Sequence, residues 1–152
     1  IHSVLKPKEE EKKKNGEVFT HMFLVNEMLD KLDEHYKKEH NNKSIFTLSS
    51  LKWYDPANGI GNFPVAIFLR LFEGLKEEIP DDEARRKHIL ENMLYMSELT
   101  ASNVVVCKHI FKGDKYKLNL YNGNSLELDT VKEWNVEKMM TMMREVYTNA
   151  TL

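Results

Sequence analysis

The chain has 152 residues, 41% of them hydrophobic and 30% charged, with a formal net charge of −2. That is long enough for one domain with a core of its own and too apolar for a disordered protein. The near-neutral balance excludes a general electrostatic attraction to nucleic acid, so any DNA contact would need a local basic patch or a partner domain.

A single cysteine, Cys107, excludes an intrachain disulfide and sets the expectation of a reducing, cytoplasmic location. Its neighbours Val104, Val105 and Val106 favour a buried, inert thiol over a nucleophile. No apolar run approaches membrane-spanning length, and the first residues lack the apolar core of a signal peptide, so no membrane partner is expected.

Residues 6–15 are almost entirely Lys and Glu, the composition of a solvated arm or a frayed helix start. After Gly16-Glu17-Val18-Phe19-Thr20-His21, the apolar residues Phe23, Leu24, Met28, Leu29 and Leu32 recur at helical spacing. They predict a helix from about Phe23 to Lys38. His21 reads as a surface histidine. A polar linker, Glu39 to Lys43, leads past Ser44-Ile45-Phe46-Thr47-Leu48 to a first strand over about Leu51 to Asp55.

The next stretch, Asp55-Pro56-Ala57-Asn58-Gly59-Ile60-Gly61-Asn62-Phe63, breaks the apolar run with an acid and a proline and then places two glycines two apart. Glycine permits dihedrals and close approaches that a Cβ forbids, and the free N–H groups opening the next helix can face a polar ligand. On spacing alone, an ordinary strand–helix turn fits as well as a ligand site.

Phe63, Val65, Ala66, Leu69, Leu71, Phe72 and Leu75 then predict an apolar helix to about Glu78, with Pro64 in its first turn and Pro80 ending it. Asp81 or Asp82 is placed to cap a further helix to about Asn92. Met93 to Glu98 reads as a second strand closing on an acid. Ser102 is the predicted N-cap of a helix from Asn103 to Phe111. The β-branched Val104 to Val106 also allow a strand there, but a parallel crossover needs a helix. Tyr116 to Tyr121 alternates as a third strand, followed by Asn122-Gly123-Asn124-Ser125-Leu126. Val131 to Tyr147 forms a methionine-rich helical stretch of the kind that fills cores and interfaces. The order, a helix and then strand–helix–strand–helix–strand, is half of a doubly wound α/β sheet.

Ligands of such sheets bind beyond the carboxyl ends of the strands. Asp55, Glu98 and Asn124 fall there, one after each strand. A carboxylate accepts two hydrogen bonds at once, which suits the paired hydroxyls of a ribose. Each strand-end residue alone fits a solvated or capping role; together with the glycine turn they point to a nucleoside-containing ligand. A dinucleotide is the weaker choice, because the third glycine of its fingerprint is missing.

The two strings carry more than their spacing. Asp55 to Phe63 resembles the loop Asp-Pro-Ala-Cys-Gly-Ser-Gly-Asn-Phe of the adenine-N6 DNA methyltransferases, with Asn58 and Ile60 replacing Cys and Ser. Gly16 to His21 resembles the same family's Gly-Glu-Val-Phe-Thr-Pro entrance, with His21 replacing the proline. The resemblance runs from Gly16 to about Leu126. It implies an incomplete Rossmann-like AdoMet-dependent methyltransferase fold of about three parallel strands with flanking helices. Residues 1–15 form the charged arm, 16–130 the partial AdoMet-binding domain and 131–152 the Met-rich helix.

As the resemblance has it, S-adenosyl-L-methionine is held by Thr20, Asp55, Ala57, Asn58, Gly59, Gly61, Phe63, Glu98, Leu99 and Asn124. Thr20 and Asp55 face the methionyl end, Glu98 the ribose, and Leu99 packs on the adenine. Asn124 replaces an Asp that reads the adenine amino group, and its carbonyl oxygen can accept the same hydrogen bond without the charge. The implied reaction moves the sulfonium methyl to the exocyclic amine of a flipped adenine in DNA. The family performs it with Asn/Asp-Pro-Pro-Tyr, and these 152 residues contain no such tetrapeptide. The expectation is therefore a family member cut off or diverged before its catalytic centre, inactive alone and weak on DNA. The alternative is a noncatalytic interaction module with the same fold. A homo-oligomer is expected either way, since a three-stranded sheet leaves edges and a flank uncovered.

Overall fold

The computed structural model describes residues 20–123. The charged arm, Gly16 to Phe19, Asn124 and the Met-rich stretch lie outside the described residues. Helix α1 (Met22–Glu39) leads through a 3-10 turn (Ile45–Thr47) to strand β1 (Trp53–Asp55). Helices α2 (Asn62–Gly74) and α3 (Asp82–Asn92) follow, then β2 (Leu94–Glu98), α4 (Ala101–Ile110) and β3 (Asn119–Asn122). Among the described residues the strands are all parallel, in the order β1-β2-β3, so the α/β class and the three-stranded parallel sheet read in the sequence are what these residues form.

Consecutive right-handed crossovers in one direction place α2, α3 and α4 on the same face of the sheet. Period-two alternation turns Leu94, Met96 and Leu120 toward that face, where they join Ala66, Ile67, Leu71, Ile89, Val104 and Cys107 in the core. All five residues of β2 are buried, as befits the central strand of a parallel sheet.

Helix α1 starts where His21 accepts a hydrogen bond from the Phe23 amide through Nδ1, so this histidine caps a helix. Its buried stripe, Val25 and Leu29, packs on α2, and Arg70 of α2 clamps it with an ion pair to Asp30 at 2.6 Å and a bond to the Asn26 carbonyl. Asp81 caps α3 by accepting from the Ala84 amide at 2.8 Å, and Asp82 and Glu83 add favourable charge to its first turn.

Four boundaries differ from the sequence reading, and the first is that β1 starts at Trp53 instead of Leu51. Helix α4 is capped by Thr100, not Ser102: the Glu98 carboxylate takes the Thr100 amide at 3.1 Å, turning the chain two residues earlier. Helix α2 ends at Gly74 instead of running to Glu78, and the backbone of Phe46 lies against that glycine. Strand β3 begins at Asn119, since the ladder reaches only as far back as Tyr95 of β2. Tyr116 and Leu118 alternate into the core without being paired as strand.

Candidate functional site

Asp55 ends β1 level with Met96, while Glu98 ends β2 level with Asn122 of β3. Asp55, Met96 and Glu98 share one parity of the pleat, so both acids stand on the helix-covered side of the carboxyl edge. Between them runs the glycine turn. The amide of Asn58 donates to the Ser97 carbonyl at 3.1 Å, which pins the turn to β2 one residue before Glu98. The Ser97 hydroxyl, itself within 3.0 Å of the Tyr54 hydroxyl, donates to the Pro56 carbonyl at 2.8 Å. Two contacts therefore hold the turn and the Glu98 end of β2 on the same rim.

Gly59 and Gly61 adopt φ of +57° and +102°. Gly61 is the N-cap of α2 and carries no side chain to satisfy its amides, and a Cβ there would stand 3.4 Å from Cys107 Sγ. Ala57 is exposed, and its amide donates to Asp55 Oδ1 at 3.1 Å. The Asp55 carboxyl is pushed up from 3.8, chiefly by burial, with the Ala57 hydrogen bond opposing.

Cys107 of α4 forms the floor below the turn. Its Sγ lies 3.4 Å from Asn58 Nδ2 and 3.8 Å from Met96 Sδ. Burial, helped by the charges of Glu98 and Asp55 and opposed by the Asn58 hydrogen bond, pushes the thiol up to about 12. This is the inert thiol expected from its valine neighbours.

Glu98 is buried, while Leu99 beside it is 56% exposed. Asn122 Nδ2 donates to the carbonyls of both residues, at 2.9 and 3.1 Å, so β3 fixes the backbone that carries the acid. Phe63 is half-buried against the core at the start of α2. At the entrance, the Thr20 carbonyl accepts from Asn62 Nδ2 at 2.7 Å. Of the residues singled out in the sequence, Asp55, Ala57, Asn58, Gly59, Gly61, Phe63, Glu98 and Leu99 lie on the turns and helix start at this edge, and Thr20 is tied to it through Asn62. Asn124 is outside the described residues.

Over 86 residues, 57% of this chain, the sequence is 40% identical to an uncharacterized adenine-specific methylase of Mycoplasma pneumoniae. This chain is similar to an adenine-specific methylase. The methylase-like chain spans 19% of that relative's length. No family model matches it. In fold it is similar to the ATP-dependent Type ISP restriction-modification enzyme LlaBIII bound to DNA. The TM-score is 0.54 at 19% identity, over 86% of this chain and 9% of that one. The relative supports the resemblance to adenine methyltransferases, and the solved structure supports the fold.

Sequence reasoning passed over four residues that shape this edge. Tyr54 and Ser97 gave no signal, because their pairing depends on strand register. Asn122 was read as part of a turn. Asn62 stood inside the quoted glycine string, so its position was available, but its partner Thr20 lies far back in the chain, just before α1.

The residues present suit a cofactor of the AdoMet type. Among the described residues, Asn58 Oδ1 and Asn62 Oδ1 are buried without a hydrogen-bond partner, Gly61 leaves a bare backbone, and the half-buried Asp55 and buried Glu98 end β1 and β2. Orphaned buried acceptors are rare and call for a donor.

Proposed function

We propose that this chain is the AdoMet-binding portion of a DNA adenine-N6 methyltransferase of the restriction–modification type. The observation that carries this reading is the Asn58–Ser97 hydrogen bond, which sets the glycine turn beside Glu98 at the carboxyl edge of a parallel sheet. The adenine-specific methylase relative supports the same activity class. The cofactor supplies an electrophilic methyl on sulfonium sulfur; these residues bind and orient it. The Glu98 carboxylate accepts from the ribose hydroxyls, and the exposed Leu99 offers an apolar surface to the adenine ring. Thr20 and Asp55 serve the methionyl end, and Asn124 the adenine amino group. With no Asn/Asp-Pro-Pro-Tyr among its residues and a net charge of −2, the chain holds cofactor without transferring methyl or gripping DNA strongly by itself.

Isothermal titration with AdoMet and with its demethylated product tests the proposal. The folded chain should release heat with both, at micromolar or weaker affinity, and Glu98→Ala should abolish it. No heat from a folded sample rejects the reading.

A second reading, a noncatalytic interaction module, is favoured by one surface. Leu24, Met28 and Leu32 recur every fourth residue along α1 and are exposed, with Phe23 nearby. Such a stripe suits self-association. Light scattering should then report an oligomer in which Glu98→Ala changes nothing, and a clean monomer at high concentration removes this reading.

A further inference from the structure

Asn62 opens α2 directly after the left-handed Gly61, and it is only 8% exposed. Its Nδ2 donates to the Thr20 carbonyl at 2.7 Å. A carbonyl oxygen only accepts, so the amide nitrogen must be the atom facing Thr20, which leaves Oδ1 for another donor. Among the described residues that donor is missing, although the atom is buried. The same holds for Asn58 Oδ1, on a side chain 5% exposed. The side-chain donors of the 55–62 turn are spent on Thr20, Gly59 and Cys107, so its two amide oxygens are left unmatched beside the Asp55 carboxyl. A ligand group that suits such acceptors carries several N–H bonds, as an ammonium group does.

We infer that Asn62 joins the two sides of the methionyl pocket: its amide nitrogen fixes the entrance at Thr20, and its amide oxygen receives an N–H of the cofactor's α-ammonium group. The inference rests on the AdoMet reading above and assigns a residue to it. Asn62 is a binding residue for the amino-acid tail alone, with no part in holding the nucleoside. One side chain thus couples occupancy of the tail pocket to the position of the segment leading into α1. The Arg70 clamp on Asp30 and Asn26 holds the rest of that helix on α2, so Asn62 controls the entrance at one end of an already fixed contact.

The test is calorimetry with two probes, AdoMet and 5′-methylthioadenosine, which lacks the amino-acid tail. Wild type should bind both. Asn62→Ala should weaken AdoMet by about tenfold or more, the scale of one lost charge-assisted hydrogen bond, and leave methylthioadenosine unchanged. Asn62→Asp, which keeps an acceptor but loses the donor to Thr20, should retain more AdoMet affinity than the alanine variant. Equal losses for both probes would make Asn62 merely structural and overturn the inference, as would no loss at all. Wild type that binds neither probe defeats the AdoMet reading itself, a distinct result.

Should the substitutions prevent folding, hydrogen exchange on wild type decides the matter. AdoMet should slow exchange of the amides just after Thr20 beyond what methylthioadenosine achieves. Equal protection by the two probes overturns the inference.

Discussion

The Asn58 amide and the Ser97 carbonyl meet at 3.1 Å, and that contact makes the turn after β1 and the end of β2 a single edge. It joins a buried glycine turn to the strand that delivers the buried Glu98.

Asp55 should cost the fold stability at neutral pH. Burial raises its carboxyl pKa above 3.8, so the protonated form is favoured in the folded state. The associated stability is fully present below the unfolded value and is lost as pH rises through the raised folded one. Asp55→Asn, which keeps an oxygen for the Ala57 amide, should melt at a higher temperature than wild type at pH 7. The two melting curves should converge near and below pH 3.8. Under the proposed AdoMet reading, a cofactor ammonium pairing with the carboxylate would recover this cost.

Cys107 should resist thiol reagents in the native state. Fully buried, with its ionisation pushed up to about 12, it presents almost no thiolate at neutral pH. Its reaction with a disulfide reagent should therefore follow the opening of the structure, speeding up with denaturant alongside loss of circular dichroism. A fast reaction in native buffer would place the thiol elsewhere than beneath the glycine turn.

Gly74→Ala sets two effects against each other. Alanine is favoured over glycine in a helix by about 1 kcal/mol. A Cβ at this position, however, collides with the Phe46 carbonyl, which is backbone and cannot swing aside. Overpacking of this kind costs about 1–3 kcal/mol, so the clash wins and chemical denaturation should show net destabilisation. A neutral or stabilised variant would mean that the 3-10 turn yields easily.

Arg85 is 1% exposed, and it closes the connection between α2 and α3. Nη1 donates to the carbonyls of Ile79 and Pro80 at 2.9 and 3.3 Å, and the guanidinium lies 4.1 Å from the centre of the Phe72 ring. Its ion pair with Asp82 adds little, since that carboxylate is 75% exposed. Arg85→Met keeps the apolar stem and strips the donors, leaving two carbonyls without their partner. We expect a loss of about 2–3 kcal/mol in denaturant unfolding. Asp82→Asn should cost much less, which separates the carbonyl bonds from the charge pair.

Periodicity and punctuation carried the order of elements, the parallel sheet and the acids at the strand ends, because these are local properties of neighbouring residues. Helix spacing in α1, the glycine string before α2 and the apolar run of β2 each announce themselves within a few positions. Boundaries were less legible. Thr100 displaced Ser102 as the start of α4 because the Glu98 side chain reached back to its amide, and Tyr116 alternates into the core beyond the end of the β2 ladder.

What no local pattern encodes is which distant groups meet. The Asn62 bond to Thr20, the Ser97 links to Tyr54 and Pro56, the thiol beneath Gly61 and the clamp of Arg85 all join residues from separate elements. Such contacts depend on strand register and helix packing, which arise from the collapse of the whole chain. The string of residue types thus names the chemistry available at the carboxyl edge, and packing alone chooses which of those groups stay unpaired.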